Sequence, residues 1–376
     1  MYDSKKQRKR KTGVVQVIRY AYPHIGGMEQ VVSQINDALP SDEYEKEVLC
    51  CSNETPSSVE NGVKYTRCKF LFEFASNTIS PEFLWRLSKV DTDILHYHMP
   101  FIFAVICHFI ARPKYKKLYI SYISDIVGYD KYMKPFWGIY KRFISLADKI
   151  HIMFPWFKDD SFMLEEVKDK CVCIPHGISL APVHVDESRV QQIKGKYSGK
   201  KILFSLGRHV KYKGFKYAIE AMKYVDNAVY LLGGSGPLTS EFEEYIENNN
   251  LKDKVILLGR LSDEELNLYY QACDIYLFPS CMPSEVFGIV QLEAMKYSKP
   301  IINTDLGTGV NYVSIDGETG ITVEKENPKA IADAINKLLN DNNLRLQYGQ
   351  NARKRVEQVF DEEKVKEQFR EFYEKI

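Results

Sequence analysis

Short apolar runs alternate with helical patterns from one end of this chain to the other. That predicts an α/β fold of two doubly wound, Rossmann-like domains facing across a cleft. Three observations carry the expectation. The strands are nearly continuous apolar runs rather than alternating ones, as in parallel sheets covered on both faces. At 376 residues the chain is too long for one ordinary core. The pattern also turns polar and charged from 176 to 199 before a new strand begins. The expected domains are therefore 1–178 and 179–360, with 361–376 a last helical pattern that crosses back to the first. In such an architecture ligands bind at the carboxyl ends of the strands.

In the first half, strands are expected at 14–19, 47–51, 63–69, 94–98, 118–124, 150–154 and 171–175, each a β-rich run bounded by turn residues. Helical spacing places helices at 28–39, 81–89, 101–111 and 135–147. The second half repeats the theme, with strands at 202–206, 229–232, 255–258, 275–278, 300–303 and 321–323. Helices fall between them at 216–224, 239–249, 263–272, 288–297 and 330–340.

Composition narrows the function. Hydrophobic residues make up 45% and charged residues 27%, the balance of a soluble globular protein. A net charge of +1 gives no bulk attraction to nucleic acid. The eight cysteines show no C-x-x-C spacing and lie in apolar runs such as Cys50-Cys51, so they are read as buried thiols in a reducing compartment. The basic run 5–11 leads directly into a strand without the apolar core of a signal peptide, and the longest apolar stretch, 101–110, is half a membrane span. A cytoplasmic protein is expected.

The most telling stretch is 284–295, where Glu285 and Glu293 lie eight residues apart around Phe287-Gly288. A short apolar strand precedes it, and a helix begins at Gly288 and runs through Ile289 and Val290. Free amides and the helix dipole there would face an anion, with a carboxylate on either side to accept from hydroxyls. A sugar nucleotide has that layout of hydroxyls, diphosphate and hydroxyls. After the strand 202–206 come Arg208, a planar fork for phosphate oxygens, and Lys213, a mobile point charge. The glycine turn ending in Gly236 suits close backbone approach to a ligand, although it is not a complete dinucleotide fingerprint. Arg260 and Leu261 follow the next strand, where backbone could read a base edge or simply turn the chain. In the first half, His24 and Gly26-Gly27 follow the first strand and open a helix, fit either for phosphate or for a plain turn.

Other features are given bland readings. Asp91-Thr92-Asp93 resembles a metal-binding D-x-D but precedes its strand, so it is read as a strand-entry turn and no metal is called for. His96 and His98 share one face of a strand and are read as pocket-lining or packed histidines, since no third ligand has suitable spacing. The stretch 131–143 mixes basic and aromatic residues on a helix, which suits the headgroup level of an anionic membrane or an ordinary amphipathic surface.

With these residues in hand, the chain resembles the retaining GT-B glycosyltransferases of family 4, over most of its length and most strongly from 204 to 320. Glu285-x7-Glu293, Gly207-Arg208 with Lys213-Gly214, and Gly26-Gly27-x-Glu29 occur in that family's order and spacing. The resemblance implies that Arg208 and Lys213 neutralise the donor diphosphate, that Glu285 contacts the donor sugar, and that Glu293 contacts the ribose. It further implies that amides near Gly27, Gly288, Ile289 and Val290 hold phosphate or sugar, with no metal and no other cofactor. Residues 122–127 resemble the His-Ser-Asp-Ile segment of bacterial mannosyl- and rhamnosyl-type transferases, but Ile123 stands where that His is expected. Ser124 and Asp125 remain as candidate polar groups, with His24 or His98 as substitutes for the missing imidazole.

The expected function is a retaining transfer of a hexose from a nucleoside-diphosphate sugar, GDP-mannose first. The expected acceptor is a lipid-diphosphate-linked saccharide in surface polysaccharide assembly, at the inner face of the cell membrane. Rival readings are a UDP-sugar-dependent transferase of the same fold, a phosphorylase or epimerase, and a non-catalytic scaffold. Ile123 alone favours the last.

Overall fold

The computed structural model describes residues 10–24, 26–74, 77–126, 134–197 and 199–374. The chain divides into two compact units, Met1–His176 with Glu363–Ile376, and Gly177–Glu362.

The first unit contains strands β1 (Thr12–Val17), β2 (Tyr44–Cys51), β3 (Ser58–Glu60), β4 (Val63–Cys68), β5 (Phe72–Phe74), β6 (Asn77–Ile79), β7 (Asp91–Met99), β8 (Lys114–Tyr122), β9 (Lys149–Ile152) and β10 (Cys171–Cys173). Eight of them form one sheet in the order β10-β9-β8-β7-β1-β2-β4-β3, and only β3 runs antiparallel to its neighbour. β5 and β6 form a separate antiparallel hairpin. The sheet grows outward from its middle in both directions, so strand order reverses between β1 and β7. β7 is buried at every position after Asp91, its polar residues Thr92, Asp93, His96 and His98 included.

The helix Glu362–Glu374 covers one face of this sheet, burying Val365, Phe369, Phe372 and Tyr373 at helical spacing. Beneath it runs a chain of buried hydrogen bonds whose directions can be assigned. The carbonyl of Ile174 accepts from His151 Nε2 at 2.8 Å. His151 Nδ1 is then the acceptor for the Ser121 hydroxyl at 2.9 Å. Ser121 accepts in turn from His96 Nε2 at 2.9 Å, and His96 Nδ1 accepts from the Tyr373 hydroxyl. One line of four bonds thus ties three strands and the residue following β10 to the C-terminal helix.

In the second unit, β11 (Lys201–Leu206), β12 (Ala228–Gly233), β13 (Val255–Gly259), β14 (Ile275–Phe278), β15 (Ile301–Thr304) and β16 (Gly320–Val323) form a parallel sheet. Their order is β13-β12-β11-β14-β15-β16, so the direction of growth reverses between β11 and β14. The helices Phe215–Ala221 and Pro328–Asn340 bury Phe215, Ile219, Ile331 and Ile335 in one core with Leu203, Tyr230 and Leu232. Asn327 caps the second of these helices by accepting from Ala330 N, and Pro328 follows at its first turn.

Several elements differ from expectation. The polar stretch expected as a linker contains the helix Glu187–Lys196, capped by Asp186 and burying only Val190, so it shows no apolar stripe. The helix Asn342–Val359 was not expected either; it carries Gly349 in its middle, where a Cβ would lie 2.1 Å from Ser298 O. The triplet 91–93 belongs to β7 itself, and the Asp93 carboxylate is taken by Lys116 at 2.7 Å and by Gly13 N at 2.8 Å. Of the basic–aromatic stretch, residues 131–133 lie outside the described residues, as do 5–9 of the N-terminal basic run. The remainder forms the helix Trp137–Ser145, which turns Tyr140, Phe143 and Ile144 inward. Among the described residues no helix is long and apolar enough to cross a membrane.

Candidate active site

The second unit gathers its chemistry where strand order reverses, the position at which open α/β sheets form a crevice outside the carboxyl ends of their strands. β11 leads into Gly207 and Arg208, then into the tight turn Lys211–Lys213. β14 leads into Pro279, Ser280 and the loop that carries Glu285. The two loops lock together at Gly214, whose φ is +64°. A Cβ there would fall 1.9 Å from Pro279 O, so no residue with a side chain fits. Cys281 N also donates to Tyr212 O at 2.8 Å.

This docking brings Lys213 and Glu285, 72 residues apart in sequence, into an ion pair of 2.5 Å. The two side chains retain only 14% and 11% of their exposure, so the pair is shielded well enough for its charges to matter. The Ser280 hydroxyl donates to the same carboxylate oxygen at 3.1 Å. From the other side Thr308 Oγ1 donates to the Glu285 carbonyl at 2.9 Å, fixing the backbone that presents the carboxylate. Arg208 is exposed and makes no ion pair among the described residues. It follows the end of β11, the strand that adjoins β14.

Beyond Glu285 the chain buries Phe287 edge-on to Phe360 and turns at Gly288 with φ +73° into the helix Ile289–Lys296. No side chain caps that helix, and Ile289 and Val290, its first two residues, are half-buried. Its unpartnered dipole end lies directly after the loop of Glu285. Glu293 sits in the second turn, half-buried; burial raises its carboxyl above the ordinary value against the opposing pull of Lys296. It is therefore a carboxylate in a poorly solvated place, suited to accept from a hydroxyl.

The neighbouring strand ends continue the same edge. After β12, Gly236 N donates to Thr239 Oγ1 at 2.9 Å and the turn packs on His209, where a Cβ on Gly236 would lie 2.6 Å from a backbone oxygen. After β13, Arg260 Nε donates to Ser235 Oγ at 3.3 Å, and Leu261 leans on Gly233. Arg260, Gly236, Arg208, Lys213, Glu285 and Gly288 thus line the ends of β13, β12, β11 and β14 in spatial order.

In the first unit the candidates separate. His24 is 54% exposed, stacks on Tyr20 at 5.0 Å and lies 3.5 Å from Glu29. Gly27 opens the helix Gly27–Ala38, but the Glu29 carboxylate folds back over Gly26, so the helix end already holds a negative charge. Ser124 and Asp125 are half-buried after β8, and Asp125 Oδ1 accepts from Tyr122 OH and Ser161 Oγ, both at 2.7 Å. Ile123 is buried. Of the two readings of His98, lining a pocket or packed, the structure shows the packed one. It is fully buried, stacks on His96 at 4.7 Å and bonds to Gln16 at 2.9 Å, because its side of β7 is the side under the C-terminal helix.

Three residues of the site escape sequence reasoning. Ser280 lies in a loop read only as a strand end, and Thr308 touches Glu285 across 23 residues with no local signal. His209 is buried beside Arg208 with Nδ1 2.8 Å from Thr239 Oγ1, and its Nε2 has no partner among the described residues. Thr308→Val is expected to lower kcat/KM about fivefold, since it removes the ~1 kcal/mol tether to the Glu285 carbonyl, and to lower the melting temperature by only a few degrees through the long N-cap bond it also removes, from Val310 N at 3.4 Å. Steady-state kinetics beside a thermal melt check this; unchanged kinetics would show that Glu285 needs no such tether.

Residues 186–355 match the family of glycosyl transferases group 1. Over 352 residues the chain is 31% identical to the O-antigen chain mannosyltransferase C of Escherichia coli, covering 92% of this chain and 94% of that protein. It is 29% identical over 346 residues to the D-rhamnosyltransferase WbpZ of Pseudomonas aeruginosa, covering 91% of this chain and 90% of that one. Among solved structures, sucrose-phosphate synthase from Thermosynechococcus elongatus superimposes with a TM-score of 0.77 at 20% identity, over 97% of this chain and 98% of that one. HepE of Anabaena, in complex with UDP and glucose, gives 0.74 at 16% identity over 97% and 100%. Both structures have the GT-B fold, and this chain shares it.

Proposed function

Because the chain belongs to the glycosyl transferases group 1 family, we propose that it transfers a hexose from a nucleoside-diphosphate sugar to a lipid-diphosphate-linked saccharide of a surface polysaccharide, retaining the anomeric configuration. GDP-mannose is the proposed donor. The mannosyl- and rhamnosyl-transferases among its relatives support that choice, as does the segment Ser124-Asp125.

The observation that carries the proposal is the shielded Lys213–Glu285 pair at the reversal of strand order, beside the uncapped helix at Gly288. In the reaction the bond from the sugar's anomeric carbon to the diphosphate breaks, and negative charge grows on the departing phosphate. Arg208 and Lys213 neutralise that charge, and the amides of Ile289 and Val290 add fixed donors that need no reorganisation. Glu285 accepts from hydroxyls of the donor sugar, Glu293 from the ribose, and the turn at Gly236, Arg260 and Leu261 faces the base. The acceptor hydroxyl attacks from the face the diphosphate leaves, and its proton passes to a leaving phosphate oxygen. No step requires a metal. Asp125, Ser124 and His24 are assigned to the sugar or acceptor side, and the protein works in peripheral contact with the inner face of the membrane.

A thermal-shift screen against GDP, UDP, ADP and TDP and their common sugars tests the donor, since a bound ligand stabilises the native state by mass action. Selective stabilisation by GDP and GDP-mannose is expected. Stabilisation by UDP alone would move the donor to a UDP-sugar, and none at all would sink the reading. Labelled donor incubated with and without lipid-linked acceptor then separates transfer from hydrolysis or epimerisation.

A further inference from the structure

The hairpin of β5 and β6 exposes large apolar side chains to an extent seen nowhere else in so short a described stretch. Leu71 is 72% exposed, Phe72 55% and Phe74 62%, and Trp85 on the adjoining helix Pro81–Leu87 is 54% exposed. Side chains alternate along a strand, so Phe72 and Phe74 share one face and Glu73 takes the other. The alternation removes the one acidic residue from between the rings, because Glu73 accepts from the Tyr20 hydroxyl on the body of the unit. Thr78, paired with Glu73 across the two strands, is fully buried, while all three residues of β5 are exposed.

The two strands are also tied to the body of the unit at their base. Leu71 N donates to Ile79 O at 2.9 Å, and Ser80 Oγ to Lys69 O at 2.5 Å. Lys69 N donates to Glu82 Oε2 at 2.9 Å, which ties the base of the hairpin to the helix bearing Trp85. Glu82 is further engaged by Arg86 at 3.4 Å, and the Arg86 guanidinium lies over the Trp85 ring at 4.9 Å. Glu73 and Glu82 are therefore committed. Lys69, two residues before Leu71, and Lys89, just past the helix that bears Trp85, are exposed and make no ion pair among the described residues. Rigid aromatic side chains bordered by uncompensated ammonium groups match the headgroup level of an anionic bilayer, where rings enter the acyl boundary and cations meet phosphate. The helix Trp137–Ser145 is less suited, since its aromatic side chains Tyr140 and Phe143 face inward.

We propose that the exposed side chains of Leu71, Phe72 and Phe74, with Trp85 beside them in sequence, form a membrane-docking surface that enters an anionic lipid bilayer. This rests on the membrane-facing acceptor proposed above and names the surface that reaches it.

The full chain is mixed with vesicles of equal parts phosphatidylglycerol and phosphatidylcholine, or of phosphatidylcholine alone, and floated through a density gradient. No donor or acceptor is present, so the outcome is independent of whether glycosyl transfer occurs. The protein is expected to float with the anionic vesicles and far less with the neutral ones. The double variant Phe72→Ser/Phe74→Ser is expected to lose partitioning at least about tenfold, while nucleoside-diphosphate stabilisation in the thermal-shift assay stays as in the parent. Lys69→Glu/Lys89→Glu is expected to abolish the preference for anionic vesicles. A parent chain that does not float, or a double serine variant that floats as well as the parent, overturns the proposal. So does sedimentation velocity showing a dimer that the serine variant disperses while flotation is unaffected.

Discussion

Glu285→Ala is expected to lower kcat about a hundredfold or more while nucleoside-diphosphate affinity stays level or rises. Lys213→Ala is expected to lower kcat and to weaken that affinity about tenfold. The opposite signs follow from the ion pair. Glu285 occupies the Lys213 ammonium at 2.5 Å when no diphosphate is bound, so removing the carboxylate frees the cation for phosphate oxygens. Removing the ammonium deletes the partner that diphosphate would use. Glu285 lies on a loop and packs no core, so the fold should survive its loss. Glu285→Gln refines the test, since an amide oxygen still accepts from Ser280 and Lys213 but carries no charge. Intermediate activity there would assign Glu285 to hydrogen bonding with the sugar, whereas activity as low as that of the alanine variant would assign it to electrostatics. Calorimetric titration of nucleoside diphosphate beside steady-state kinetics decides the matter. Equal weakening of diphosphate affinity in both alanine variants would remove the competition between Glu285 and phosphate from the account.

How much of this was legible in the residues alone depends on the range of the interaction. The apolar runs of β11, β12 and β14 show themselves because strands buried on both faces leave no polar alternation. The loop from Ser280 to Gly288 is visible for the same local reason: an apolar strand, a Pro/Ser turn and a helix start lie next to one another. The pairing of Lys213 with Glu285 is not visible, because it depends on two glycine-bearing loops docking across 72 residues. The strands β3, β5 and β6 have three residues each, too few for a period to show. Helix Asn342–Val359 is hidden by its polarity and by Gly349, which is there for close approach to Ser298 O rather than for flexibility. Whether His98 lines a pocket or packs is undecided in the sequence for a related reason. Alternation says which face of the strand it shares with His96 but not which face the C-terminal helix covers, and that helix is more than 200 residues downstream.

The first unit is expected to lose stability as the pH falls from about 7 to about 5, and to do so before the second unit does. Its buried histidines set the sign. Burial lowers His151 and His176 to about 4 and His98 to about 3, and holds His96 well below its ordinary value. Folded pKa values therefore lie under the unfolded value of about 6.5, so below that pH the unfolded chain binds protons the folded chain refuses, and stability falls with pH. The loss begins near the unfolded value and is complete only near the folded ones. The hydrogen-bond line explains why the folded state cannot adapt. His151 Nδ1 must accept from Ser121 because its Nε2 already donates to the Ile174 carbonyl, and a proton on Nδ1 would set donor against donor unless Ser121 and His96 reversed together. At about 1.4 kcal/mol per pH unit below about 6.5, each imidazole held neutral costs about 2 kcal/mol by pH 5. Hydrogen exchange read by mass spectrometry is the direct measurement, with amides of β7 to β9 losing protection at about pH 5 while those of β11, β12 and β14 change little. In the second unit the buried imidazole is His209, on a loop rather than under a helix. Equal protection of β7 to β9 at both pH values would mean that the histidine line tolerates charge and that Tyr373 is held to the sheet by packing alone.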